Sequence, residues 1–190
     1  MQFDKAFAKI HGNYIIEIIY EKLSLCFDSV KLCADSIDRL SMFGIETIVD
    51  QAPGGAKSGA GPALGIYSAL SQASSYYVFV TACDMPLIDV DHIRYMKQLL
   101  AQCETKPDAL VPMCGGYIEP LYSFYSINMI NRFREELEMG QNKLHNILDR
   151  CNVLYFDEAD SRSFDPELSM FLNINTKEDL EKVSWLMKSE

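Results

Sequence analysis

No apolar run in the 190-residue sequence approaches the ~20 residues that cross a bilayer, since even residues 14–20 are interrupted by Glu17. A membrane-spanning protein is not expected. The six cysteines (Cys26, Cys33, Cys83, Cys103, Cys114, Cys151) form no C-x-x-C pair, and no charged segment followed by an apolar one opens the chain. Neither a zinc ribbon nor a secreted disulfide scaffold is indicated, and reduced thiols in a cytoplasm fit better. Basic residues are few: 17 Lys and Arg stand against 27 Asp and Glu, a net charge of −10. That balance disfavours broad binding to nucleic acid or anionic lipid, so an anionic ligand would need a local pocket of cations or backbone N–H groups. The three histidines, His11, His92 and His145, have no H-x-x-x-H spacing and no adjacent cysteine, and there is no G-x-S-x-G. A zinc site and a local serine-hydrolase signature are both missing.

What is present is an ordinary globular composition, 48% apolar and 23% charged, at a length that suits one domain. Short β-branched and aromatic runs occur at residues 29–34 (SVKLCA), 45–49 (IETIV), 76–81 (YYVFVT), 109–113 (ALVPM) and 153–156 (VLYF). Helical spacing fills the intervals: Ile15, Ile16, Ile19 and Leu23, then residues 62–72, 90–103, 127–139 and 176–187. Strand alternating with helix, and a YYVFVT run with no polar alternation, predict a three-layer α/β domain: a mostly parallel sheet with helices on both faces. Such a domain normally opens with a strand. Here a helical pattern begins at residue 14, preceded by at most the strand-like AFAKI.

In open α/β sheets ligands bind beyond the carboxyl ends of the strands. After YYVFVT comes Cys83-Asp84-Met85-Pro86, a carboxylate suited to Mg²⁺ facing phosphates, or else the cap of the next helix. Asp50 ends the IETIV run, where a solvated turn residue is the plainer reading. Residues 51–61 (QAPGGAKSGAG) predict a poorly ordered loop, and its last glycine, Gly61, precedes Pro62 and a helix N-terminus whose N–H groups suit an anion. Lys5 is by itself an ordinary surface lysine. Asn173 and Asn175 stand at alternate positions before Thr176, which with Asp179 forms a helix-capping pattern. Tyr117, Tyr122, Phe124 and Tyr125 around Glu119-Pro120 suit a planar heterocycle or, more commonly, a core.

In order, Asp4-Lys5-Ala6, the Gly12 turn, Asp50, Gly61-Pro62-Ala63-Leu64-Gly65, Cys83-Asp84-Met85-Pro86, Glu119-Pro120-Leu121 and Asn173-Ile174-Asn175-Thr176 resemble the motif series of the molybdenum cofactor guanylyltransferases. The likeness spans residues 4–182. It implies a Rossmann-like nucleotidyltransferase fold and transfer of GMP from Mg-GTP to the phosphate of molybdenum-molybdopterin, with pyrophosphate released. It further implies that Lys5 pairs with phosphates, that Asp84 holds Mg²⁺ (or Mn²⁺), that Asp50 and Gly61 belong to the nucleotide subsite, and that Asn173 and Asn175 contact the pterin. Apo-molybdoenzymes and upstream cofactor-insertion proteins are the implied protein partners. Two departures stand out. The family's opening strand and L-x-G-G-x-S-x-R-M-G loop have no counterpart before Asp4-Lys5, and Cys33 replaces a frequent Asn. The expectation is one nucleotidyltransferase domain over residues 1–190, incomplete at its N-terminus and weakly active as given. A cytidylyltransferase acting on the same pterin and a non-catalytic nucleotide or pterin carrier remain the alternatives.

Overall fold

The computed structural model describes residues 7–38, 40–54 and 61–188. Lys5 and residues 55–60, the middle of the expected loop, lie outside them.

The chain opens with a small antiparallel hairpin, β1 (Lys9–Ile10) and β2 (Asn13–Tyr14). His11 and Gly12 close it with φ of +51° and +94°, the two successive positive values that a type I′ turn demands. Helix α1 (Ile15–Ser24) follows directly, its first turn secured by Glu17, whose carboxylate accepts from the Tyr14 N–H at 3.1 Å. Strands β3 (Leu32–Ala34) and β4 (Thr47–Val49) pair in parallel. Helix α2 (Pro62–Ser71) leads to β5 (Tyr77–Thr81), and α3 (Val90–Gln102) to β6 (Ala109–Cys114). The hairpin strand β7 (Tyr117–Ile118), β8 (Tyr122–Ser126), α4 (Ile130–Glu138), α5 (Leu144–Leu148), β9 (Val153–Phe156), α6 (Glu158–Arg162) and α7 (Lys177–Leu186) complete the order.

The helices cover both faces of the sheet, and the alternation of side chains shows it. Leu110, Phe124 and Phe156 pack into one buried cluster with Ile15 and Ile19 of α1 and Ile93 and Met96 of α3. Their neighbours Ala109, Val111 and Tyr125 pack on the other side with Ile66 of α2, Phe133 of α4 and Ile147 of α5. The class is therefore the expected three-layer α/β one. Strand direction within the sheet is mixed: β6 pairs with β9 in parallel, but β8 lies antiparallel between β5 and β6.

Strand β8 is the element that the hydrophobic pattern did not announce, because YSFYS mixes hydroxyls with rings. Inside the sheet those hydroxyls find main-chain acceptors. Tyr125 donates to the Pro120 carbonyl at 2.7 Å, Ser123 to Glu119 at 2.6 Å and Tyr122 to Asp89 at 3.2 Å. Tyr122, Phe124 and Tyr125 are thus core residues and not a stacking platform, while Tyr117 stays exposed. The expected helix over 127–139 begins with a 3-10 turn at Ile127–Met129.

His92, on the buried face of α3, is fully enclosed, with its Nε2 3.1 Å from Ser161 Oγ and the rings of Tyr122, Phe156, Phe164 and Phe171 around it. Burial holds its imidazole down at about 4, against the opposing pull of Asp89 and Asp165. The unfolded chain takes up this proton near pH 6.5 and the folded chain does not, so His92 erodes stability as pH falls from about 6.5 toward 4, by up to ~1.4 kcal/mol per pH unit. Denaturant titrations of the parent and His92→Gln across pH 4–7 should show a shallower loss for the variant. Parallel curves would contradict this role.

Candidate functional site

Asp84 leaves the end of β5 in a turn closed by the Met85 N–H on the Ala82 carbonyl at 3.4 Å. One carboxylate oxygen, Oδ1, is shielded from solvent. Asp84 is not the cap of the next helix: Asp89 is, accepting from the His92 N–H at 2.8 Å. The expected alternative role thereby falls to a different residue.

The Asp84 carbonyl accepts from the Ile174 N–H at 2.9 Å. That bond lays the segment carrying Asn173 and Asn175 against the end of β5. Ile174 is buried while both asparagines are exposed on either side of it, the arrangement that alternate positions predict. The segment is held from behind by a capping box at the start of α7: Asp179 N–H donates to Thr176 Oγ1 at 3.1 Å, and the Asp179 carboxylate accepts from the Asn175 and Thr176 amides at 2.9 and 2.8 Å. These bonds hold the Asp179 carboxyl below the usual carboxylate range. Thr176→Ala should cost about 0.5–2 kcal/mol in a denaturation curve, and no loss would show that the cap does not anchor the segment.

Asp50 is fixed by its own N–H, which donates to Ala34 across the β3–β4 pair at 2.8 Å. It is half-buried, and its Oδ1 lies sequestered from water with no hydrogen-bond partner. Burial raises its carboxyl above the usual range, partly offset by a hydrogen bond from Ser68. A solvated turn residue would show none of this. Opposite lies Gly65 of α2, where an added Cβ would meet Asp50 Oδ1 at 4.0 Å and Cys33 Cβ at 3.8 Å. Desolvation by its surroundings and the nearby Asp50 raise the thiol of Cys33, a residue otherwise exposed, to about 11. Gly61 caps α2 with φ +65°, a conformation suited to glycine, and Pro62 takes the first helical position. Cys33, Pro62, Gly65 and Asp84 all line one cavity of about 1060 Å³.

The structure thus places Asp84 beside the Asn173–Asn175 segment and Asp50 beside Gly65; Asp84 and Gly65 line the same cavity, and Lys5 lies outside the described residues. One group that the sequence reading left without a role is Glu119. It sits at the corner before β8, next to Leu121, whose carbonyl accepts from Ala82 at 3.2 Å, and burial raises its carboxyl above the usual range. The Glu119-Pro120-Leu121 triplet was the available signal.

The family model of the MobA-like NTP transferase domain matches residues 1–154. The chain belongs to this family. It is 32% identical to a probable molybdenum cofactor guanylyltransferase of Peptoclostridium acidaminophilum, over 100% of this chain and 85% of that protein. It is 33% identical to a molybdenum cofactor guanylyltransferase of Syntrophotalea carbinolica, over 96% and 83%. Among solved structures, molybdopterin-guanine dinucleotide biosynthesis protein A from Archaeoglobus fulgidus superposes with a TM-score of 0.79 at 27% identity, covering 99% of this chain and 92% of that one. A 4-diphosphocytidyl-2C-methyl-D-erythritol synthase from Anaerococcus prevotii shares the fold, with a TM-score of 0.69 at 10% identity over 98% and 94%. This MobA-like chain is accordingly a nucleotidyltransferase of Rossmann-like fold. Among its described residues no helix is long and apolar enough to cross a membrane.

Proposed function

We propose that the protein transfers GMP from Mg-GTP to the phosphate of molybdenum-bound molybdopterin, in the cytoplasm. The observation that carries this reading is the Ile174–Asp84 main-chain bond, which lays the asparagine segment against the residue whose carboxylate stands at the end of β5. An acceptor phosphate and a nucleotide phosphate can then share one edge of the sheet. In the step itself an oxygen of the pterin phosphate forms a bond to the α-phosphorus of GTP. The bond from that phosphorus to the β-phosphate oxygen breaks, and pyrophosphate departs with the electron pair.

Both reactants are anions, so the protein's work is alignment and charge balance more than covalent chemistry. Asn173 and Asn175 orient the pterin side, Asp50 and the N-terminus of α2 at Gly61 receive the nucleotide, and Lys5 balances phosphate charge. Asp84 would hold the divalent cation. The donor set fits: Asp84 brings a carboxylate with a solvent-shielded Oδ1 to the end of β5, and Mg²⁺ commonly takes one or two protein carboxylates together with substrate phosphates. When bound, the cation supplies charge neutralisation at the phosphates. Mn²⁺ suits the same oxygen donors.

Calorimetric titration with Mg-GTP, Mg-CTP and Mg-ATP tests the guanine assignment. GTP should bind about tenfold or more tightly than either competitor, a difference of ~1.4 kcal/mol. Preference for CTP would favour cytidylyl transfer, and GTP binding without pyrophosphate release in the presence of acceptor would favour a carrier.

A further inference from the structure

Glu119 is fixed through its main chain. Its N–H donates to the Pro112 carbonyl at 2.8 Å, and its carbonyl accepts from the Tyr122 N–H at 3.1 Å and from the Ser123 hydroxyl at 2.6 Å. The bond to Pro112 carries the β6–β7 ladder one residue past Ile118, which pairs with Met113. Ile118 packs with Val111 on one side of the sheet, so alternation turns the Glu119 side chain to the other. Cys114 lies on that other side, and its thiol is raised by burial and then by the Glu119 carboxylate. Ile174, at the centre of the asparagine segment, packs in the same cluster as Cys114. Glu119 and the asparagines therefore border the carboxyl edge of the sheet on the same face.

What this carboxylate lacks is a donor. Among the described residues nothing gives it a hydrogen bond or an ion pair, and burial alone raises it above the usual range. Glu158, the other acid beside Cys114, shows the contrast. Its Oε1 accepts from Arg162 at 2.7 and 3.0 Å and its Oε2 from the Gly115 N–H at 2.6 Å, and these bonds hold its carboxyl below the usual range. A desolvated carboxylate without donors is a cost to the fold that a ligand bearing N–H groups removes. No second acid adds to the shift of Glu119, as it would where two carboxylates share a metal site.

We propose that Glu119 reads the 2-amino-4-oxopyrimidine edge of the pterin, its two carboxylate oxygens accepting one N–H from the exocyclic amino group and one from the adjacent ring nitrogen. Two parallel donors in one plane are what a carboxylate accepts in bidentate fashion. Guanine carries the same edge. Position selects the pterin, because Glu119 shares its face of the sheet with the asparagine segment, whereas Asp50 and Gly61, assigned to the nucleotide, stand at the end of β4 and the start of α2. The main-chain bonds hold Glu119 ready for this contact before the ligand arrives. The inference rests on the transferase reading for the identity of the acceptor, and it gives Glu119 a part in selecting that acceptor and none in the phosphate step.

Binding measurements on the parent, Glu119→Gln and Glu119→Asp test the assignment. Molybdopterin is titrated anaerobically by calorimetry, and 6-hydroxymethylpterin and 6-hydroxymethyl-lumazine, whose 2-position bears oxygen in place of the amino group, are compared as competitors. The parent should prefer the pterin to the lumazine by about tenfold or more, since a site built to accept an N–H rejects the analogue without it. Glu119→Gln should bind molybdopterin about tenfold or more weakly and reverse the preference, its amide N–H facing the lumazine oxygen. Glu119→Asp should weaken binding without reversal. A merely structural residue would not reverse a ligand preference. Both variants should melt with the parent, because the main-chain bonds do not use the carboxylate. Equal molybdopterin affinity in the parent and Glu119→Gln, equal competition by pterin and lumazine in the parent, or a collapse in melting temperature would overturn the proposal while leaving the transferase reading intact. The preference for Mg-GTP over Mg-ITP, which lacks the 2-amino group, should be the same in the parent and Glu119→Gln. Its loss in the variant would give the edge to guanine and overturn the pterin assignment. A parent that binds neither molybdopterin nor Mg-GTP would overturn the transferase reading as well.

Discussion

Asp84→Asn should lower GMP transfer by about 10²-fold or more, the scale on which loss of an electrostatic group that acts in the transition state is felt. The substitution preserves shape and removes charge. The turn at residues 82–85 is held by main-chain bonds from Met85 to Ala82 and from Ile174 to Asp84, and none of these needs the carboxylate. The variant should therefore fold with a melting temperature close to the parent's and keep the Asn173–Asn175 segment in place. Turnover equal to the parent's would remove Asp84 from the metal and phosphate chemistry, whereas a collapse in melting temperature would make its role structural.

The largest stability effect should come from Phe124→Ala. Phe124 is 2% exposed at the middle of β8, its ring 5.0 Å from that of Phe79 and 6.1 Å from that of Phe27. Its neighbours come from β5, from the segment after α1 and, through the cross-strand pair with Leu110, from β6. Truncation opens a cavity that strands on both sides cannot easily close, at a cost of about 3–5 kcal/mol. For a chain of this size each kcal/mol is worth roughly 2–4 °C, so a fall of roughly 6–20 °C is expected by calorimetry. A fall of only a degree or two would mean that β8 is not central to the core.

That strand also marks the limit of what the sequence made legible. The apolar runs of β5, β6 and β9 and the periodicities of α1 to α4 and α7 survive as elements because burial on one or both faces is written directly into them. Strand β8 is hidden because its tyrosines and serines become buried only once Pro120, Glu119 and Asp89 offer carbonyls, and those partners are not adjacent in pattern. The short helices α5 and α6 carry too few turns for a period to stand out. At the site, Asp84 and the asparagine pair were visible from position, but their contact was not, since it is a main-chain bond between residues ninety positions apart. The pairing of Asp50 with Gly65 and Cys33 was equally invisible, as it depends on how α2 crosses β3 and β4.

The central claim is nucleotidyl transfer at the edge where Asp84 meets the asparagine segment. The most direct measurement follows the α-phosphate: GTP labelled there is incubated with Mg²⁺, molybdenum-molybdopterin and the protein. The account predicts label in a pterin guanine dinucleotide with equimolar pyrophosphate, and about 10²-fold less of it when Asp84 is Asn. Label that stays in GTP with a folded protein, or that reaches the pterin only from labelled CTP, would contradict it.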